Sequence, residues 1–175
     1  IGDIVLATNA NHVLPDFFES GVYTPRDSLS TLANAMDVGA PSNLERLRYL
    51  YPGKSIHQAI TRVESVGDDE IRRAIPVALD KYGEILCPHT ACGMVELERL
   101  RDSGDQRDWC VVATAHPAKF EGVVEPLIQQ SIAVPAPLQA LLDRPAHADA
   151  LEPELGDLEA ALATESRRGW KVDRV

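Results

Sequence analysis

The sequence predicts an α/β fold in which buried, mostly parallel strands are flanked by helices, and three observations carry that expectation. Two short continuous apolar runs, Ile4 to Ala7 and Cys110 to Ala113, are bounded by polar or turn-forming residues, as strands covered on both faces are. Segments with apolar residues at helical spacing lie between and after these runs. Strands and helices therefore alternate along the chain, the pattern of an α/β protein rather than of a bundle or a sandwich.

The elements follow in order. Ile4 to Ala7 is a strand, and Thr8-Asn9-Ala10-Asn11 is the polar loop at its carboxyl end. Pro15 to Ser20 forms a short helix that stops at Gly21, and Tyr23-Thr24-Pro25-Arg26 is extended, because the residue before a proline avoids the α region. Ser42-Asn43-Leu44-Glu45 matches a capping box, and Leu44, Leu47 and Leu50 continue a helix up to Pro52-Gly53. Gly67-Asp68-Asp69-Glu70 places acids at a helix start. Ile71, Ile75, Ala78, Leu79 and Tyr82 then share one face up to Gly83, with Pro76 expected to kink or shorten the helix. Thr90 is a suitable N-cap for a helix through Met94, Val95 and Leu97 to Arg101. After the Cys110 to Ala113 strand, Phe120, Val123, Val124, Leu127 and Ile128 repeat at helical spacing, interrupted by Pro126. A segment rich in Pro and Ala leads to a last amphipathic helix carrying Leu155, Leu158, Ala161 and Leu162.

Composition narrows the class of partner. The chain has 175 residues, 45% apolar and 25% charged, as ordinary globular domains do. A formal charge of −10 repels a phosphate backbone, so nucleic acid is not expected as a partner. No apolar run is long enough to span a bilayer and no basic patch leads into an apolar stretch at the start, so neither membrane nor secretion is expected and a cytoplasmic address is. Cys87, Cys92 and Cys110 form no CxxC pair and read as reduced thiols. Because the chain opens directly into the strand-like run Ile1 to Ala7, it reads as starting inside a larger fold.

The segment Val112-Ala113-Thr114-Ala115-His116-Pro117-Ala118-Lys119-Phe120 carries the most chemical information. A buried run delivers a hydroxyl and an imidazole at its carboxyl end, where ligands of α/β sheets bind. Two readings of Thr114 and His116 stand: both face one crevice, or Thr114 caps the next helix and His116 is structural. Asn34, Asp37, Ser42 and Asn43 suit a site-lining loop, or are turn and capping residues. Cys87, His89 and Cys92 with His116 offer ligand atoms, but the spacing does not match a structural zinc site and the order is not that of haem attachment, so no metal is expected. No serine lies in a GxSxG turn, and no Gly-rich phosphate loop is present.

Taken together, these segments resemble the C-terminal part of the threonine synthase family. The resemblance rests on Ala7-Thr8-Asn9-Ala10-Asn11, Gly21-Val22-Tyr23, the run Thr31-Leu32-Ala33-Asn34-Ala35-Met36-Asp37-Val38-Gly39-Ala40-Pro41-Ser42-Asn43, Pro88-His89-Thr90-Ala91, and Thr114-Ala115-His116-Pro117-Ala118-Lys119-Phe120. It covers residues 3 to 128 in the family's order, and Cys87 and Cys92 depart from it.

The resemblance implies a two-domain fold-type II architecture that binds pyridoxal 5'-phosphate between domains and converts O-phospho-L-homoserine and water to L-threonine and phosphate. It implies that Thr114, with Ala115 and His116, contacts the cofactor, Thr114 at the pyridine nitrogen. Asn34, Asp37 and Ser42 are then expected on the substrate side. The family's Ser-Phe-Lys-Asp and Ser-Gly-Asn-Phe-Gly motifs do not occur, and Lys54, Lys81, Lys119 and Lys171 have other contexts, so no catalytic residue is assigned here. The chain by itself is expected to be inactive, with the missing N-terminal part of the same enzyme as its partner. The alternative is a noncatalytic scaffold or interaction chain derived from that fold. On this reading residues 1–40 supply a strand and site-lining loops, 41–86 a helical insertion, 87–134 a return to the α/β core, and 135–175 a helical tail.

Overall fold

In the computed structural model, residues 2–167 are described, apart from 54, 143, 146, 147 and 149. They form a mixed α/β structure, dividing into one unit up to Ala133 and a second from Val134. Strands β1 (Ile4–Thr8) and β2 (Ile60–Ser65) pair in parallel, with Leu6 opposite Val63 and Thr8 opposite Ser65. A parallel pair needs a long crossover. Here the connection contains helices α1 (Val13–Ser20), α2 (Asn43–Leu50) and α3 (Ser55–Ala59). The register shifts between Ile4 and Val5, which face Ile60 and Arg62, so Thr61 is an extra residue.

One face of this pair builds a core. Phe17, Leu44, Ile56 and Ile60 are buried together, with Ile4, Leu6, Leu14 and Val63 packed against them. Burying each such side chain contributes about 1.5–3 kcal/mol. α4 (Asp68–Tyr82), α5 (Pro88–Asp102) and α6 (Glu121–Ile128) complete this unit, α5 packing on β1 and α4 on both other helices. Ile71, Ile75 and Ala78 of α4, Ala91 and Cys92 of α5, and Val124 of α6 are among its buried side chains. On α5, Glu96 is buried against Arg62 of β2 at 3.1 Å and against Arg99. The second unit contains α7 (Ala136–Leu142) and α8 (Leu155–Arg167). No helix among the described residues is long and apolar enough to cross a membrane.

Several local expectations are corrected. The 41–86 segment, expected to be helical, contains β2, whose alternation is broken by the bulge and disguised by Arg62 and Glu64. Ser42 sits in helical geometry and its side chain makes no cap bond. The reciprocal carboxylate instead occurs at α4, where Glu70 Oε2 accepts the Gly67 amide at 3.0 Å. Pro76 lies within α4 without ending it, and Tyr82 is exposed rather than on the buried face. The N-cap of α5 is Cys87, because Pro88 takes the first helical position, where its missing N–H costs nothing. Finally, Cys110 to Ala113 is not a buried strand: it pairs with none among the described residues, Cys110 is exposed, and Val112 is 71% exposed.

Candidate functional site

Two polar clusters meet at α5. The first is built on the loop after β1. Asn9 is fully buried, and its Nδ2 donates to Thr31 Oγ1 at 2.8 Å, to Ala33 O at 3.1 Å and to Asp37 Oδ1 at 2.7 Å. Asn11 Nδ2 donates to Leu29 O at 2.8 Å and to Asp37 Oδ1 at 3.2 Å. Thr31 adds its amide to Asp37 Oδ2 at 2.9 Å and its hydroxyl to Oδ1 at 2.7 Å. A buried polar group is tolerated when such donors satisfy it. Asp37 is therefore the hub that fastens the 29–37 loop to the end of β1.

Farther along this loop, the Arg26 amide donates to Gly39 O at 2.9 Å, and a Cβ on Gly39 would lie 1.9 Å from Arg26 O. Only glycine permits that approach. Beside it, Asp16 accepts from Arg26 and pairs with His12 at 3.0 Å, and the His12 contact leads in holding the Asp16 carboxyl below its usual range.

The first turn of α5 joins this loop to the second cluster. His89 is buried, its Nε2 accepts the Ala35 amide at 3.0 Å, and its ring lies 4.8 Å from that of Phe120. Burial lowers its pKa, with Asp37 opposing, so the imidazole is neutral and its proton sits on Nδ1, which has no hydrogen-bond partner among the described residues. One residue on, Thr90 Oγ1 accepts the Thr114 amide at 3.1 Å and lies 3.3 Å from Thr114 Oγ1. Cys87 Sγ is 3.2 Å from Thr90 Oγ1 and 3.7 Å from Thr114 Oγ1, and it accepts the Thr90 amide at 3.4 Å.

This second cluster backs a cavity of about 360 Å³ lined by Leu86, Cys87, Thr90, Thr114, Ala115 and His116, among others. The volume lies within the range of small-molecule sites. Thr114 and His116 are exposed, and Ala115 is half-buried. His116 Nδ1 accepts the Ala118 amide at 3.2 Å and so caps the turn Pro117–Lys119, the role that one of the two readings gave to Thr114. A second recess, about 250 Å³ between α4 and α5, is bordered by Val77, Met94, Val95 and Glu98.

The sequence-derived residues therefore separate. Thr114, Ala115 and His116 share one cavity wall. Asp37 belongs to the loop clasp, and Asn34 opens the exposed turn Asn34–Met36 beside it. Among the described residues, no hydrogen bond joins the Ser42 side chain to either cluster. Lys54 and Lys171 lie outside the described residues, and Lys119 is exposed. Sequence reasoning missed Cys87 and Thr90 as a pair behind Thr114; the signal was Pro88, which marks Cys87 as the cap and places Thr90 inside the first turn. Cys92 instead points its thiol back to Pro88 O at 3.6 Å, and burial pushes its pKa up to about 12.

The side-chain groups hydrogen-bonded at Thr114 Oγ1 among the described residues are a hydroxyl and a thiol, while Glu84 supplies a carboxylate elsewhere in the cavity lining. Such a set suits an uncharged heteroaromatic nitrogen, which needs a single hydroxyl partner, better than a cation.

Residues 90–162 match the family model described as threonine synthase, C-terminal. The chain is 31% identical over 163 residues to the threonine synthase of Buchnera aphidicola subsp. Acyrthosiphon pisum, covering 93% of this chain and 37% of that protein. Among solved structures, Escherichia coli threonine synthase superposes with a TM-score of 0.76 at 27% identity, over 94% of this chain and 38% of the other. Threonine synthase from Brucella melitensis, determined with pyridoxal phosphate bound, gives 0.71 at 26% identity over 95% and 41%. The chain thus spans little more than a third of the length of the Buchnera and Escherichia proteins.

Proposed function

We propose that this chain, similar in sequence and fold to the C-terminal region of the threonine synthases along nearly its whole length, forms one wall of a pyridoxal 5'-phosphate site in a cytoplasmic enzyme converting O-phospho-L-homoserine and water to L-threonine and phosphate. The observation that carries this reading is the placement of Thr114: its hydroxyl lies on the wall of a ligand-sized cavity, backed by Thr90 and Cys87. When bound, the cofactor would supply an electron sink that acidifies C–H bonds of the substrate, the chemistry that loss of phosphate and addition of water require.

The chain's own residues bind and orient. Thr114 Oγ1 meets the ring nitrogen. A hydroxyl there leaves the nitrogen less charged than a carboxylate would, which tempers the sink. Ala115 and His116 continue the wall, and the cap bond from Ala118 fixes the direction of the His116 ring. Asn34, Asp37 and Ser42 border the substrate side. There Asp37 acts by holding its loop, since four hydrogen bonds already occupy its carboxylate. The lysine that carries the cofactor and the phosphate-binding loop belong to the rest of the polypeptide, which is this chain's partner.

The test is phosphate release from O-phospho-L-homoserine. In the enzyme carrying this chain, Thr114→Val lowers turnover about tenfold, the value of one well-placed hydrogen bond. The isolated chain releases none. An unchanged rate for the variant, or turnover by the isolated chain, overturns the assignment.

A further inference from the structure

The contact distances behind Thr114 favour one hydrogen-bond direction. Thr90 Oγ1 accepts the Thr114 amide at 3.1 Å, which leaves it one further acceptor position and one proton. Its remaining neighbours are Cys87 Sγ at 3.2 Å and Thr114 Oγ1 at 3.3 Å. Cys87 Sγ already accepts the Thr90 amide, so its own S–H is the group that needs an acceptor. Cys87 and Thr90 are both buried, and unpaired buried donors are costly.

One arrangement satisfies every buried donor through the two shorter contacts: the Cys87 thiol donates to Thr90 Oγ1, the Thr90 hydroxyl donates to Thr114 Oγ1, and the Thr114 proton points outward. The reverse arrangement turns Thr114 inward onto Thr90 and Thr90 onto Cys87, and it leaves the Cys87 proton only the longer 3.7 Å contact with Thr114 Oγ1 in place of the 3.2 Å one with Thr90. The only hydroxyl proton left free lies on the exposed residue of the three, which borders the cavity.

We infer that Cys87 and Thr90 are positioning residues that hold the Thr114 hydroxyl as an outward hydrogen-bond donor, aimed at an unprotonated ring nitrogen of pyridoxal 5'-phosphate. This rests on the placement of Thr114 proposed above. Thr90 also anchors the Thr114 backbone amide, so one side chain fixes both the position and the polarity of the contact.

The test measures the pyridoxal 5'-phosphate dissociation constant and the 15N resonance of the labelled ring nitrogen in the full enzyme, for Thr114→Val, Thr90→Val, Thr90→Ser, Cys87→Ala and the Thr90→Val/Thr114→Val double variant. Thr90→Val weakens the cofactor about fivefold and moves the nitrogen resonance, the effect of losing one net hydrogen bond. Thr90→Ser, which keeps the hydroxyl, recovers most of the loss. Cys87→Ala moves the resonance in the same direction by less, and Thr90→Val adds nothing once Thr114 is valine.

If Thr114→Val weakens the cofactor and Thr90→Val does not, or if the two effects add, the relay is overturned while the placement of Thr114 stands. If Thr114→Val has no effect, the placement itself fails and the relay with it. Should Thr90→Val not fold, Cys87→Ala decides, and an unmoved resonance overturns the relay.

Discussion

His89 Nε2 accepts the Ala35 amide at 3.0 Å, a bond between residues 54 apart in sequence that fastens the first turn of α5 to the loop bordering the proposed substrate side. The bond exists only while Nε2 is unprotonated. Burial lowers the folded-state pKa below the ordinary 6.5, against the opposing pull of Asp37. Because the unfolded chain binds this proton more readily, the stability contributed by neutral His89 is full above 6.5 and is lost as pH falls from there to the folded pKa.

Urea midpoints measured from about pH 7.5 down to about pH 5.5, across the range where histidines titrate, therefore fall for the wild type. In His89→Gln that part of the slope disappears. Equal slopes in the two proteins contradict this role for His89.

Gly39→Ala opens the loop. Its Cβ would sit 1.9 Å from Arg26 O, a clash with backbone that no rotamer relieves, and relief requires breaking the 2.9 Å bond from the Arg26 amide. The expected loss is about 2 kcal/mol, as for other overpacked sites. Thermal denaturation measures it, and a midpoint equal to wild type contradicts the close approach.

Much of the fold was legible, and the failures have physical causes. β1 and α1 were readable because Ile4 to Ala7 is uniformly apolar and Gly21 takes the left-handed conformation at the helix end. β2 was not, because the extra residue Thr61 brings Ile60 and Val63 into the same core, three positions apart, and Arg62 uses the other face to reach Glu96. Cys110 to Ala113 misled in the opposite sense: an apolar run specifies a strand only where a neighbour supplies hydrogen bonds, and none among the described residues does. The wall Thr114-Ala115-His116 was readable as a string, but the support from Thr90 and Cys87 depended on which residue caps α5.

Glu96→Ala destabilises the first unit. Its carboxylate is 3% exposed and answers two guanidinium groups, those of Arg62 at 3.1 Å and Arg99. Removing one side of a buried ion pair costs about 3–5 kcal/mol when the other charge is left alone, and here the partial solvent contact of Arg62 and Arg99 and their second partners, Glu64 and Glu70, lower the expected loss to about 2 kcal/mol. Denaturant unfolding of Glu96→Ala beside Glu96→Gln reports it; a loss below about 1 kcal/mol, the size of a surface pair, contradicts the assignment.

Thiol labelling separates the three cysteines. Cys110 is exposed, whereas Cys87 and Cys92 are buried and the Cys92 pKa is pushed up to about 12. Brief alkylation of the folded chain followed by mass spectrometry finds the label on Cys110, and all three cysteines react after denaturation. Rapid labelling of Cys87 in the folded chain would contradict the buried relay.

Whether Thr114 meets the cofactor ring is decided by a crystal structure of the enzyme carrying this chain with pyridoxal 5'-phosphate bound. The predicted result is a ring nitrogen about 2.7–3.2 Å from Thr114 Oγ1, with the Thr114 amide still held by Thr90. A ring whose nitrogen contacts another residue, with Thr114 facing only solvent, contradicts it.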